Sequence, residues 1–258
     1  MSDWLSLAKS NDPHIVVLTM DVHLSYFRDE YNFEEALRLL PFEWQCRVIQ
    51  KRAHKDKVTA LCNRLLQLYG CRLELNTQAI DFTQGKYGKP FVKNTESFNF
   101  SMTNGENFVS IIMTNLFQTE VGIDLASIND FTSEGDLKIY EDVLSTEEYE
   151  KINNQTNLLD MKRLFAFYWS VKECYTKYLG VGLNGDLKII NVSLFSAPLV
   201  NEAVSTFKLK DITFHSRWVS DNEILTYCFP AQYDFLKPIH AILNVVSVIK
   251  GIKTQFLT

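Results

Sequence analysis

The stretch Phe167-Tyr168-Trp169-Ser170-Val171-Lys172-Glu173-Cys174-Tyr175-Thr176-Lys177-Tyr178-Leu179-Gly180-Val181-Gly182-Leu183 sets charged residues at one-turn spacing into a strongly apolar helical pattern. On a helix, Trp169, Glu173 and Lys177 stand at i, i+4 and i+8, so a carboxylate and an ammonium share one face with an aromatic ring. Taken alone, this is either a phosphate or metal site or an exposed ion pair adding about 0.2–0.5 kcal/mol to the helix. The rest of the chain has to separate the two.

Outward from that stretch, helical periodicity covers Leu158 to Leu179 and, before it, Leu137 to Ile152. Strand-like runs follow at Leu187–Phe195, Val204–Leu209, Ile212–Trp218 and Ile224–Phe229. The first part of the chain reads similarly. Ile15–Met20 is a buried strand, and Phe42 to Leu68 is helical with a break near His54-Lys55-Asp56 and an end at Gly70. Ile80–Phe82, a turn over Gly85 to Pro90, and apolar runs at Phe98–Ser101, Phe108–Met113 and Val121–Leu125 then read as neighbouring strands. The order strand, helices, strands is thus given twice, with no Pro/Gly/Ser-rich linker and no residue-level repeat. The boundaries expected are 1–123, 124–230 and a C-terminal extension over 231–258, where the apolar spacing of Ile239–Ile249 does not separate helix from strand.

Composition narrows the class. With 258 residues, 46% hydrophobic and 13% aromatic, the chain has ample material for a core. A formal charge of -5 excludes broad nucleic-acid binding but leaves room for a local basic cluster. The five cysteines show no C-x-x-C spacing and are odd in number, which fits reduced thiols and a cytoplasmic setting. No basic leader precedes an apolar run, and no uncharged run approaches the roughly 18–20 residues of a membrane span, so no membrane partner is expected.

Four segments carry candidate chemistry. Asp124 closes the apolar run Glu120–Leu125; alone it reads as a turn or capping acid, but paired with Glu173 it supplies the two carboxylates that a Mg²⁺ site usually takes from protein. Lys51-Arg52-Ala53-His54-Lys55-Asp56-Lys57 places cations around a helix start, which is either a solvated face or a phosphate cradle. Lys86 and Lys89 sit in the glycine turn, and Asn99-Phe100-Ser101-Met102-Thr103-Asn104 puts hydroxyls and amides near a strand end. Gly180-Val181-Gly182-Leu183-Asn184-Gly185 satisfies G-x-G-x-x-G but follows a helix instead of opening one, so it is a helix stop and not a dinucleotide fingerprint.

Together these segments resemble the 4′-phosphopantetheinyl transferases of the Sfp and aminoadipate-semialdehyde-dehydrogenase type. Gly88-Lys89-Pro90 is similar to the family's G-K-P turn, Phe98–Met102 to its F-N-x-S-H strand, and Val121–Asp124 to its G-[IV]-D strand. Trp169–Lys177 is similar to its W-x-x-K-E-[SA]-x-x-K helix, all in the family's order over roughly residues 50–185. The resemblance implies an α+β fold of two similar α/β halves related by pseudo-twofold symmetry, with the active site between them. It implies Mg²⁺ held by Asp124 and Glu173, and Lys177 on the pyrophosphate of coenzyme A. Lys51, Arg52, Lys55, Lys89 and Ser101 would hold its phosphates, while Lys172 is a motif match without an assigned contact. Met102 stands where the family has histidine, leaving that work to Thr103 and Asn104, and Ala126 stands where many bacterial members have a further acid.

The implied reaction is attack of a carrier-protein serine on the β-phosphorus of coenzyme A, giving phosphopantetheinyl carrier and 3′,5′-ADP. Glu173, directly or through a water, would take the serine proton. The implied partners are coenzyme A and an apo-carrier protein or domain, and the implied state is a monomer. Tyr178–Leu183 resembles the lower-eukaryote members that activate aminoadipate reductase for lysine biosynthesis. Met102 motivates a rival reading, a noncatalytic coenzyme A or carrier-binding module; another Mg²⁺-dependent phosphotransferase is a second.

Overall fold

Ile15-Val16-Val17-Leu18-Thr19-Met20 is apolar on both faces, as a strand buried on both sides must be, and it forms a central strand of a sheet. The structure, a computed structural model, describes residues 12–22 and 24–255. Along the chain come β1 (Ile15–Asp21), α1 (Glu30–Leu37), α2 (Phe42–Ile49), α3 (His54–Leu75), β2 (Phe82–Gln84), β3 (Pro90–Val92), β4 (Asn99–Asn104) and β5 (Phe108–Thr114). Then follow β6 (Gly122–Ser127), α4 (Thr146–Asn153), α5 (Leu158–Tyr178), β7 (Ser205–Leu209), β8 (Ile212–Trp218), β9 (Glu223–Pro230), β10 (Ile239–Leu243) and α6 (Val245–Gln255). The fold is α+β, and the chain forms two units. One holds the residues up to Thr83, Val92–Gln118 and the chain from Leu236 onward; the other holds Gln84–Phe91 and Thr119–Phe235.

In the first unit the sheet order is β10-β1-β5-β4, with β10 parallel to β1 and the other pairs antiparallel. Val16, Leu18 and Met20 alternate onto the face that meets Leu61, Leu65 and Leu66 of α3. The helix does not end at Gly70, as its glycine suggested, but runs to Leu75 and closes on Asn76 in the left-handed conformation, φ 46°. Gly70 serves a close approach instead, since a Cβ there would stand 2.9 Å from Met113 Sδ. Residues 239–249, ambiguous by spacing, are both things in turn: β10 adds an edge strand to β1, and α6 packs Val245, Val248 and Ile252 into the same core. The terminal segment therefore completes the first unit instead of extending the second.

In the second unit the order is β6-β9-β8-β7, all antiparallel, with α5 laid across β6 and β9. Val121–Leu125 is thus no neighbour of β4 and β5; it belongs to this second sheet, and a boundary at 123/124 would cut β6 in two. Each unit repeats one scheme: a first strand, helices, then a hairpin whose second strand pairs back on the first, β5 on β1 and β9 on β6. The expected helix over 137–152 splits into a 3-10 stretch at Glu134–Tyr140 and α4, because Ser145 caps α4 in a capping box with Glu148.

The expected strand at 187–195 does not form. Its apolar side chains Leu187, Ile190 and Val192 are buried, but its backbone is taken up by a buried ion pair. Lys172 of α5, wholly buried, lies 2.9 Å from Glu148 Oε2 and donates to the carbonyls of Leu187 at 2.8 Å and Ile190 at 2.5 Å. Glu148, also wholly buried, accepts from the backbone N–H of Ser145 and of Val192, each at 2.8 Å. Burial lowers the Lys172 pKa and the Glu148 charge opposes that shift. This cluster fixes α4, α5 and the 187–192 segment to one another.

A second buried pair secures the first unit. His14 Nε2 lies 2.5 Å from Glu74 Oε1 and Nδ1 lies 2.7 Å from the Asp12 carbonyl, so both ring nitrogens face acceptors and the charged imidazolium satisfies both. Burial opposes that charge, but Glu74 and Asp12 outweigh it and raise the His14 pKa.

Lys172→Met strands the Glu148 carboxylate in the interior, so urea unfolding should show a loss of about 3–5 kcal/mol, and adding Glu148→Gln should restore part of it. A raised histidine pKa adds stability that is complete below about 6.5 and fades as pH rises through the folded value. Glu74→Gln should therefore lower Tm more at pH 6 than at pH 9; an equal loss at both would remove the ion pair from the account.

Candidate active site

Asp124, Glu173 and Lys177 come together in the second unit through the contact of β6 with α5. Asp124 is the third residue of β6 and so stands within the strand, not at its end, opposite Thr226 of β9. Two residues earlier on the same face is Gly122, where a Cβ would stand 2.3 Å from the Cys174 carbonyl oxygen and 2.9 Å from the Tyr178 backbone nitrogen. Only glycine allows the helix backbone so near the strand, and that approach carries Glu173 and Lys177 to Asp124.

Lys177 Nζ lies 2.6 Å from Asp124 Oδ1, the ammonium about a quarter exposed and the carboxylate 6% exposed. The lysine expected to be free for phosphate is therefore held by the acid expected to hold metal. Glu173 is buried, and its Oε1 has no hydrogen-bond partner. Desolvation first, then the neighbouring Asp124 charge, push its pKa up to about 7 against the smaller opposing effect of Lys177. Two carboxylates and one ammonium in a largely dry place leave a net negative charge that a cation would relieve. Among the described residues no cluster of three or more His, Cys, Asp or Glu side chains suited to a metal occurs, so the protein offers this pair and no fuller cage. Trp169, which shares the helix face, stacks instead in an aromatic group with Phe165 and Tyr140.

Lys89 belongs to the same unit. Its ammonium lies 2.5 Å from Glu120 Oε2 and 3.3 Å from the Val121 carbonyl. Beyond α5, Gly180 and Gly182 take φ of 70° and 53°, the left-handed stop expected of that motif.

The first unit holds a separate basic cavity of about 620 Å³ at the start of α3. Lys51 and Lys55 line it, while Arg52 is exposed and stands outside the lining. Arg47, Arg64 and Asn104 line it too. Burial and the nearby Arg47 charge lower the Arg64 pKa, and its guanidinium sits 4.8 Å over the Trp44 ring. Arg47 and Arg64 escaped the sequence reading because they lie outside the 51–57 charge run, joined to it only by helix packing. On β4 the expected phosphate residues divide by strand alternation. Met102 packs against the α3-side core and Asn104 reaches the cavity, whereas Ser101 and Thr103 are buried on the opposite face.

Residues 120–228, which carry Asp124, Glu173 and Lys177, match the 4′-phosphopantetheinyl transferase superfamily. The chain is 99% identical over 258 residues to the L-aminoadipate-semialdehyde dehydrogenase-phosphopantetheinyl transferase of Candida glabrata, covering 100% of both chains. It is 34% identical over 227 residues to the transferase of the same name from Saccharomyces cerevisiae, covering 84% of this chain and 82% of that protein. For that of Eremothecium gossypii the identity is 30%, over 83% of this chain and 78% of the other. Such identity over nearly the whole length makes the chain a phosphopantetheine-transferring enzyme that uses coenzyme A, and it belongs to the 4′-phosphopantetheinyl transferase superfamily.

Proposed function

We propose that this chain loads phosphopantetheine onto a serine of an aminoadipate-semialdehyde dehydrogenase carrier domain, serving lysine biosynthesis, with Asp124 and Glu173 holding Mg²⁺. The carrier assignment is supported by relatives named for that dehydrogenase. The observation that carries the metal assignment is the buried Asp124–Glu173 pair, with Glu173 Oε1 lacking a partner and its pKa pushed up to about 7. Two carboxylates are what Mg²⁺ usually takes from a protein, its other positions going to water and phosphate oxygens. When bound there, Mg²⁺ would supply positive charge to the diphosphate as the bond to the leaving phosphate opens.

The remaining chemistry belongs to the side chains. The serine oxygen bonds to the β-phosphorus of coenzyme A, the bond from that phosphorus to the bridging oxygen breaks, and 3′,5′-ADP departs. Glu173, directly or through a water, takes the serine proton. Lys177, positioned by Asp124, neutralises charge gathering on the departing phosphate. Phosphates remote from the reaction are the ligands that Lys51, Lys55, Arg47, Arg64 and Asn104 are suited to hold, since the basic cavity offers cations beside the N-terminus of α3. Asn104 there takes up work that Met102, packed against apolar side chains, does not do.

The same reading takes the protein as a cytoplasmic monomer. All five cysteines are free thiols, which suits a reducing compartment, and no helix of the described residues is long and apolar enough to cross a membrane. Light scattering of the purified chain checks the monomer.

Incubation of the apo-carrier domain with this protein, coenzyme A and Mg²⁺ should add one phosphopantetheine to its serine by mass spectrometry. Chelation of Mg²⁺ should stop the transfer. Glu173→Gln should slow it on the order of 10²–10⁴-fold with the fold intact. Near-normal turnover in that variant would remove Glu173 from the reaction, and transfer unaffected by chelator would remove the metal.

A further inference from the structure

Lys89 is held in a way that the phosphate contact implied by the family resemblance does not by itself require. It stands at the end of the Gly85–Gly88 turn, where the Gly85 amide donates to the Lys89 carbonyl at 2.9 Å, so its backbone is fixed by the hairpin. Its side chain lies along the end of α5, where a Cβ on Gly180 would meet Lys89 Cδ at 3.7 Å. The ammonium ends 2.5 Å from Glu120 Oε2 and 3.3 Å from the Val121 carbonyl, just ahead of β6. Glu120 is 52% exposed and Lys89 18%, so the lysine is the sheltered member and the glutamate the one able to swing into solvent.

The arrangement parallels that of Lys177. Four residues apart, Glu120 and Asp124 each hold one lysine, the first from the hairpin and the second from α5. The two pairs differ in burial: the Asp124 carboxylate is 6% exposed and enclosed, whereas Glu120 is not. A phosphate reaching Lys89 has only to displace an exposed carboxylate, which retains its hydration when released.

We infer that Glu120 is a positioning residue for coenzyme binding: it parks the Lys89 ammonium at the mouth of β6 until a phosphate of coenzyme A displaces it. The inference rests on the expectation, carried by the family resemblance, that Lys89 contacts a phosphate of coenzyme A. While parked, Lys89 is neutralised and its rotamers are restricted, so it neither attracts other anions strongly nor samples positions away from the site. Binding of phosphate then exchanges one anion for another at the same ammonium, and Glu120 competes directly with the coenzyme.

The test is calorimetric titration of coenzyme A into the full-length protein as wild type, Glu120→Gln, Lys89→Met and the double variant. Glu120→Gln should bind coenzyme A about two- to fivefold more tightly, the range expected on removing a partly exposed competing ion pair. Lys89→Met should bind more weakly, and Glu120→Gln should have no effect in the Lys89→Met background, the sign of coupling between the two. Raised salt should shrink the difference between wild type and Glu120→Gln. If Lys89→Met weakens binding while Glu120→Gln leaves it unchanged or weakens it, the clasp is wrong and the lysine's role on phosphate stands. If Lys89→Met leaves coenzyme affinity unchanged, both fall together. Transfer to the apo-carrier, measured on the same samples, reports separately on the proposed reaction.

Discussion

The approach of α5 to β6 at Gly122 is the constraint on which the site depends. A Cβ at that position would stand 2.3 Å from the Cys174 carbonyl oxygen, so any other residue drives the helix from the strand. With glycine the two backbones nearly touch, and the next residue on the same strand face, Asp124, meets Glu173 and Lys177 one turn apart on the helix. Two carboxylates brought together out of water repel, and Lys177 offsets only part of the cost, which leaves Glu173 with a pKa of about 7. An acid with a raised folded-state pKa binds more protons folded than unfolded, so the metal-free protein loses stability as pH rises from about 4.5 to about 7. On the proposed reading, this unfavourable arrangement is relieved when a cation and a diphosphate bind.

That strain is held by rigid neighbours. Lys172, next to Glu173 in the chain but on the other side of α5, is saturated by Glu148 and the Leu187 and Ile190 carbonyls. The helix thus carries two lysines and one glutamate in its motif with divided placement: Lys172 anchors, while Glu173 and Lys177 stand beside Asp124. An interior ion pair of this kind adds little net stability over an apolar pair, but it admits one arrangement of α4, α5 and the 187–192 segment. Glu173 is thereby presented from a helix that cannot turn away from Asp124.

Much of this was legible in the residues. The repeated order strand, helices, strands appears in both units, and the helix with its glycine stop reads directly from periodicity and left-handed glycines. The pairing of Asp124 with Glu173 was legible as motif chemistry, although their closeness depends on Gly122, whose tight contact no spacing rule reveals. What was hidden came from tertiary packing. Gly70 looked like a stop and is a contact with Met113; Leu187–Val192 looked like a strand and is an anchor for a buried lysine. Lys172 and Lys177 are five residues apart and chemically alike, and only burial tells the structural one from the one at the site. Arg47 and Arg64 are joined to Lys51 and Lys55 by the packing of α2 on α3, so a linear charge run could not include them.

Close packing of α5 on β6 forces Glu173 against Asp124 in a dry setting and raises its pKa. The most direct measurement is the titration of the Glu173 side-chain carboxyl, followed by ¹³C NMR in metal-free protein and assigned by its loss in Glu173→Gln. The expected midpoint is about 7. A midpoint near the ordinary 4.5 would mean that the two carboxylates are neither crowded nor desolvated, and would contradict this reading.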